Sequence, residues 1–252
     1  MNIMAHMIPF FPDLARSERI ADALHAGGAA YLEVQFPYSD PTADGPAIQG
    51  ATARALENGF TVRQGWKFIT SLPQPVMLMS YAGIVYSQGV ENFVRTAADH
   101  GIEGLIVPDL PVDADEGLYE AGEKHGVPIV PVIALGGSPE RISLIHQKQS
   151  RYIYASLRRG TTGTHTEIGA ENIAFIESLG RNGSHVMAGF GISTPEQVRA
   201  ITTHAHAAVV GSAFVRGALA AEEAGEDPYE EIYELTCALT GHIDPPPFRT
   251  VP

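Results

Sequence analysis

The chain has 252 residues, 44% hydrophobic and 18% charged, which suits a large core and the usual length of a single (β/α)8 barrel. The chain has 16 Lys and Arg residues and 29 Asp and Glu residues. The resulting formal net charge of −13 disfavours nucleic acid and membrane surfaces as partners. The single cysteine, Cys237, excludes an internal disulfide and a cysteine metal cluster. The opening segment has no signal-peptide pattern, and no window reaches about 18 apolar residues, so a cytoplasmic protein is predicted.

Short apolar runs alternate with longer amphipathic stretches along the chain. Strands are predicted at residues 4–11, 30–35, 75–81, 104–107, 128–134, 152–156, 185–189 and 207–211. Helices are predicted at residues 16–26, 62–71, 90–100, 116–125, 139–148, 169–178, 194–203 and 227–240.

Eight strands joined through helices should lie parallel, and this pattern predicts a (β/α)8 TIM barrel. A single domain is expected over residues 1–252, with residues 242–252 as a C-terminal tail on the surface. An open, doubly wound sheet is the alternative. It would usually have fewer strands at this length and a glycine-rich turn after the first strand, where this chain has none.

Two carboxylates belong to the second predicted strand and the loop behind it. Alternation sends Glu33 and Gln35 to the same face of the strand, and Asp44 follows in the loop. Because acids are rare in buried strands, Glu33 and Asp44 are predicted to be a catalytic pair. The alternatives are a buried Glu33 paired with a basic side chain, and a turn role for Asp44.

Glycines follow the last three predicted strands. Gly163 lies after the sixth strand, Gly191 after the seventh, and Gly211 with Ser212 after the eighth, where a short helix is expected to begin. Backbone N–H groups beside glycine can approach an anion closely, and loops seven and eight of such barrels commonly bind phosphate. Each glycine alone is also explained by turn geometry, but together they predict a phosphate site.

The motifs together resemble one family. The residues LE at 32–33, PYSDP at 37–41 and ADGPAIQ at 43–49 are similar to the catalytic loop of the tryptophan synthase α subunit family, and residues 104–111, 154–163, 189–193 and 210–212 also fit it. This resemblance implies a barrel that cleaves indole-3-glycerol phosphate to indole and glyceraldehyde 3-phosphate, with no cofactor in this chain. It also implies a β-subunit partner that carries pyridoxal phosphate, in an α-β-β-α complex.

The resemblance also implies roles for single residues. Glu33 matches the catalytic glutamate and Asp44 the catalytic aspartate. Residues expected to contact the substrate are Tyr154, Tyr81, Thr162 and Phe190, although barrel packing competes as an explanation for the tyrosines. Asp40 and Asp109 are expected to face the partner.

Three positions depart from the family pattern. Gln35 stands where a glycine is usual, Thr42 where a leucine is common, and Leu157 where a serine usually precedes the arginine of the lid loop. These changes leave two further hypotheses open: a lyase that acts alone, and an allosteric phosphate-binding subunit with reduced catalysis. The ten histidines show no clear site, and no metal is predicted.

Overall fold

The computed structural model describes residues 1–72, 75–158 and 168–242. Its strands are β1 (Ile3–Met7), β2 (Tyr31–Gln35), β3 (Val76–Met79), β4 (Gly104–Ile106), β5 (Ile129–Val130), β6 (Val132–Ala134), β7 (Tyr152–Ser156), β8 (His185–Gly189) and β9 (Ala207–Val210). Its helices are α1 (Leu14–Ala26), α2 (Pro46–Glu57), α3 (Val62–Thr70), α4 (Ala82–Gln88), α5 (Val90–Asp99), α6 (Leu118–His125), α7 (Pro139–Gln147), α8 (Ala170–Gly180), α9 (Pro195–Thr202), α10 (Ser212–Glu223) and α11 (Pro228–Thr240).

All strand pairs are parallel, in the order β5-β4-β3-β2-β1-β9-β8-β7-β6. The two ends of this order, β5 and β6, are halves of the fifth predicted strand, separated only by Pro131. Proline has no N–H for the ladder, but the Pro131 carbonyl accepts a hydrogen bond from the Tyr154 N–H at 2.9 Å. The sheet therefore closes at Pro131, and the predicted (β/α)8 barrel is confirmed over the open sheet.

Two helices of the described ranges were not predicted, and a third is longer than expected. The α2 helix begins at Pro46, inside a sequence that was interpreted as a turn, although Ile48, Ala51 and Ala55 recur at helical spacing and are buried. The α4 helix has only seven residues, and α10 extends for 12. None of the described helices combines the length and apolar content needed to cross a bilayer.

The strands separate two cores because their side chains alternate between the two faces of the sheet. Side chains such as Ile3, Leu32 and Leu78 pack between the strands and the helices. The barrel interior holds a second cluster, which includes Met4 and Met187. Residues two positions away from a member of this inner cluster along the same strand also face the barrel axis.

Candidate active site

A cavity of about 300 Å³ opens at the carboxyl ends of the strands, where (β/α)8 barrels place their chemistry. Its wall combines apolar strand residues with a few polar groups. The predicted site residues that line it are Glu33, Asp44, Tyr154, Phe190, Gly191, Gly211 and Ser212. The structure therefore brings together, in one cavity, residues from the second, sixth, seventh and eighth predicted strands and their loops.

Glu33 lies in the cavity wall, and only 2% of its surface is exposed. Its Oε2 atom lies 2.8 Å from Nδ1 of His6, which is the register partner of Glu33 on the neighbouring strand β1. Glu33 is thus a buried glutamate with a basic partner, as the alternative explanation expected, but the partner is a histidine rather than Arg or Lys. Sequence reasoning missed His6, which also lines the cavity, although its alternation with Met4 on a predicted strand would have placed it inside the barrel.

Asp44 is also buried, and two side chains donate to its Oδ2 atom. The Gln35 amide donates over 2.7 Å and the Tyr81 hydroxyl over 2.9 Å. Burial raises the pKa of Asp44 above its usual 3.8, while the charge of His6 and these two hydrogen bonds act in the opposite direction. The aspartate is therefore held by directed donors and not only by its place in a turn.

Gln35 is the departure from the family pattern with the most direct consequence. Its side chain is fully buried and supplies a donor to Asp44 that a glycine would lack. Tyr81 is fully buried as well, and its hydroxyl also accepts a hydrogen bond from the Ala43 N–H at 3.2 Å. Since Asp44 lies in the cavity wall and Tyr81 behind it, the expected contact between Tyr81 and the substrate stays a prediction.

Two aromatic side chains also line the cavity, and together they form its aromatic wall. Tyr154, on β7, packs edge to face against Phe190 with 6.1 Å between ring centroids. Burial and the charges of Glu33 and Asp44 raise the pKa of the Tyr154 phenol well above its usual 10, so the group keeps its proton. The two rings are nearly perpendicular to each other and give an apolar surface in the cavity that also holds both carboxylates, which suits an aromatic ligand.

The glycines that follow the last two strands, Gly191 and Gly211, both line the cavity. Phe190 and Gly191 both have left-handed backbone angles, with φ of 91° and 78°, a strained arrangement for phenylalanine that recurs at functional sites. Gly211 precedes α10, and Ser212 is the first residue of that helix. A helix N-terminus presents unpaired N–H groups and the positive end of the helix dipole, which suits a phosphate.

The comparisons with known proteins agree with this arrangement. The sequence profile of the family described as tryptophan synthase alpha chain matches residues 2–241. The tryptophan synthase alpha chain of Methanosarcina barkeri is 38% identical over 235 residues, which cover 92% of this chain and 88% of that protein. The chain belongs to the tryptophan synthase alpha chain family.

Solved structures support the same assignment. A structure of Mycobacterium tuberculosis tryptophan synthase superimposes with a TM-score of 0.85 at 28% identity, covering 95% of this chain and 91% of that one. The tryptophan synthase complex from Pyrococcus furiosus gives a TM-score of 0.83 at 28% identity, with coverages of 95% and 97%. The predicted family and lyase class are confirmed, and membership in the alpha chain family implies a β-subunit partner.

Two acidic residues were expected to face that partner. Asp40 is exposed on the loop after β2. Asp109 is also exposed, and its Oδ1 atom accepts a hydrogen bond from the N–H of Ala82, the first residue of α4. Asp109 therefore stabilises the start of a helix within this chain, and contact of either aspartate with a β subunit stays a prediction.

The remaining site predictions concern the lid loop of the alpha chain family. Thr162 and Gly163 lie outside the described residues. Leu157 is buried before that loop, and its carbonyl accepts a hydrogen bond from the Asn172 amide at 2.9 Å, while Thr42 lines the cavity. Within residues 1–72, 75–158 and 168–242, no group of three His, Cys, Asp or Glu side chains is arranged to hold a metal ion.

Proposed function

We propose that this alpha chain cleaves indole-3-glycerol phosphate by a retro-aldol reaction, with Glu33 and Asp44 as its catalytic residues. The observation that carries the proposal is that both carboxylates are buried in the wall of one cavity, which Tyr154 and Phe190 also line. Gly191, which also lines that cavity, lies at the end proposed for the phosphate.

The substrate has three parts, and each finds a matching surface. The phosphate binds at the N-terminus of α10, beside Gly211 and Ser212. The indole ring lies against the aromatic wall, and its N–H donates to Asp44. The side-chain hydroxyl and indole C3 are then placed at Glu33, which lines the same cavity.

The reaction adds one proton to indole C3, removes one from the side-chain hydroxyl and breaks one carbon–carbon bond. A proton is delivered to indole C3, and positive charge develops at the ring nitrogen, where Asp44 stabilises it. Glu33 removes the proton from the side-chain hydroxyl, and the bond between C3 and the side chain breaks. The bonding electrons return to the ring, which leaves neutral indole and the aldehyde of glyceraldehyde 3-phosphate.

The complex proposed for this chain follows from its family. Two alpha chains bind a pair of β subunits in the order α-β-β-α, in the cytoplasm, and the β subunits carry pyridoxal phosphate while this chain needs no cofactor. Asp40 is an exposed residue of the catalytic loop and is a proposed contact with the β subunit.

A lyase that acts without a partner is the second candidate, and one observation favours it. Both carboxylates already have directed partners in the isolated chain, His6 for Glu33 and Gln35 with Tyr81 for Asp44. A site held in place in this way depends less on docking of a second subunit to order it. High activity of the isolated chain would therefore favour this candidate over a partner-dependent alpha chain.

Indole release from indole-3-glycerol phosphate tests the proposal, measured for the purified chain with and without a β subunit. Glu33→Gln should abolish most turnover while binding of glyceraldehyde 3-phosphate changes little, because the phosphate end is untouched. Glu18→Gln, at an exposed position of α1, is the matched control and should behave as wild type. Wild-type activity in Glu33→Gln would refute the catalytic role. If the wild-type chain releases no indole, the remaining hypothesis is an allosteric phosphate-binding subunit.

A further inference from the structure

His6 and Glu33 are joined by the register of the barrel. Strand β1 pairs with β2 so that the two residues are direct partners, and both side chains point inward. Their exposed fractions are 3% and 2%, and His6 Nδ1 lies 2.8 Å from Glu33 Oε2. The histidine therefore contacts the carboxylate that is proposed to move the proton, at a position where both side chains are almost fully buried.

Each member of the pair keeps one polar atom without a hydrogen-bond partner. Among the described residues, neither His6 Nε2 nor Glu33 Oε1 has one, and both atoms are buried. Buried polar atoms are almost always paired in folded proteins, because leaving one unpaired costs about 1–3 kcal/mol. In the wall of a substrate cavity, the free Glu33 Oε1 is the oxygen available to a reacting hydroxyl.

The charges around His6 favour a proton on its ring. Burial lowers the pKa of His6 and is the largest single effect, but the hydrogen bond to Glu33 and the charges of Glu33 and Asp44 outweigh it, so the pKa lies above 6.5. These carboxylates belong to β2 and its following loop. In the described part of the chain, the other neighbours add no charge: β9 has the sequence AAVV and is followed by Gly211, and α10 begins with Ser-Ala-Phe-Val.

We propose that His6 is a positioning residue that fixes Glu33 and stores the proton that Glu33 delivers to indole C3; this inference rests on the function proposed above. The pair holds one proton before the reaction. That proton passes from His6 through Glu33 to C3, and Glu33 Oε1 then takes the hydroxyl proton as the carbon–carbon bond breaks. The pair regains its proton, so no outside acid or base is consumed.

A purely structural ion pair is the competing explanation. Such a buried pair is weak evidence for stability, since the cost of removing both charges from water offsets their attraction. A structural pair also predicts that replacement of His6 would change stability without moving the pH dependence of catalysis. The two explanations therefore differ in the pH profile of kcat.

Two variants separate positioning from proton storage. His6→Asn keeps a donor near the position of Nδ1 but cannot titrate, and His6→Phe keeps a ring but has no donor. In His6→Phe, kcat should fall about 10- to 100-fold with KM within about twofold of wild type, and the basic limb of the kcat profile should move to lower pH. His6→Asn should recover part of kcat but show the same displaced basic limb. His25→Asn, at an exposed position of α1, is the control.

Protonation of His6 can be measured without turnover by NMR of protein labelled with ¹⁵N-histidine. The signal lost in His6→Asn identifies His6, which should titrate above pH 6.5 in wild type and at lower pH in Glu33→Gln. A His6 titration midpoint at or below pH 6.5 that is the same in wild type and in Glu33→Gln would overturn the proposal. This measurement remains valid if the phenylalanine variant does not fold.

The kinetic outcomes distinguish failure of this inference from failure of the proposed function. If Glu33→Gln abolishes indole release but His6→Phe keeps the wild-type kcat and pH profile, only the role of His6 is refuted. If Glu33→Gln retains activity, or wild type releases no indole with or without a β subunit, the proposed function and the role of His6 are both refuted.

Discussion

Replacing Gln35 by methionine tests whether this side chain orients Asp44 for catalysis. Its amide donates to Asp44 Oδ2 over 2.7 Å at a fully buried position. A hydrogen bond to a charged group contributes about 1.5–3 kcal/mol, so loss of this interaction in the transition state should lower kcat about 10- to 150-fold. The Tyr81 hydroxyl keeps the carboxylate from being left without a donor.

The same substitution should change the pH dependence in a defined direction. The hydrogen bond from Gln35 lowers the pKa of Asp44, and its loss should raise a pKa that burial already holds above 3.8. Asp44 must be ionised to stabilise the positive charge on the indole ring. The acid limb of the kcat profile should therefore move to higher pH.

Methionine is nearly the same size as glutamine, so packing should be preserved. It also removes Gln35 Oε1, a buried atom with no hydrogen-bond partner in the described part of the chain. The free energy of unfolding in urea should consequently change by less than about 1.5 kcal/mol. Indole release across the pH range is the assay, with Gln147→Met, at an exposed position of α7, as control. A wild-type kcat and acid limb in Gln35→Met would refute this reasoning.

Tyr81→Phe removes the second donor to Asp44, at 2.9 Å, and should lower kcat about tenfold in the indole assay; an unchanged kcat would contradict this role. Gly189→Ala would place a Cβ 2.6 Å from a β9 side chain and should destabilise the fold by about 1–3 kcal/mol in urea. Gly180→Ala is the control, because a Cβ there would have its nearest neighbouring atom at 3.7 Å. Equal losses of stability in the two variants would show that the close contact with β9 does not matter. The pKa of His6 in the folded protein is raised above 6.5. Its stabilising effect is therefore present below pH 6.5 and is lost as the pH rises through the pKa of the folded state. The stability difference between wild type and His6→Phe should therefore shrink at high pH, and a constant difference would refute the linkage.

The chain sequence was sufficient to predict the barrel and to single out Glu33 and Asp44, which lie in the wall of one cavity. Alternation of apolar runs with amphipathic stretches predicts parallel strands, and a glutamate among apolar residues on one of them is conspicuous because burying a carboxylate is costly. The short α4 helix and the α2 helix escaped prediction for local reasons. The α4 helix has only about two helical turns, and the α2 helix begins at Pro46, a residue that also fits a loop turn.

The sequence by itself determined the fold class, the family and the positions of Glu33 and Asp44, because periodicity and local motifs are properties of neighbouring residues. Only the tertiary structure decided which side chains hold those carboxylates. His6 lies 27 residues from Glu33 and meets it through the register of two strands, and Tyr81 reaches Asp44 from 37 residues away. Gln35, only nine residues from Asp44, reaches it because the loop folds back over the strand end. Contacts of this kind depend on how strands pair and loops close, and no local pattern records them.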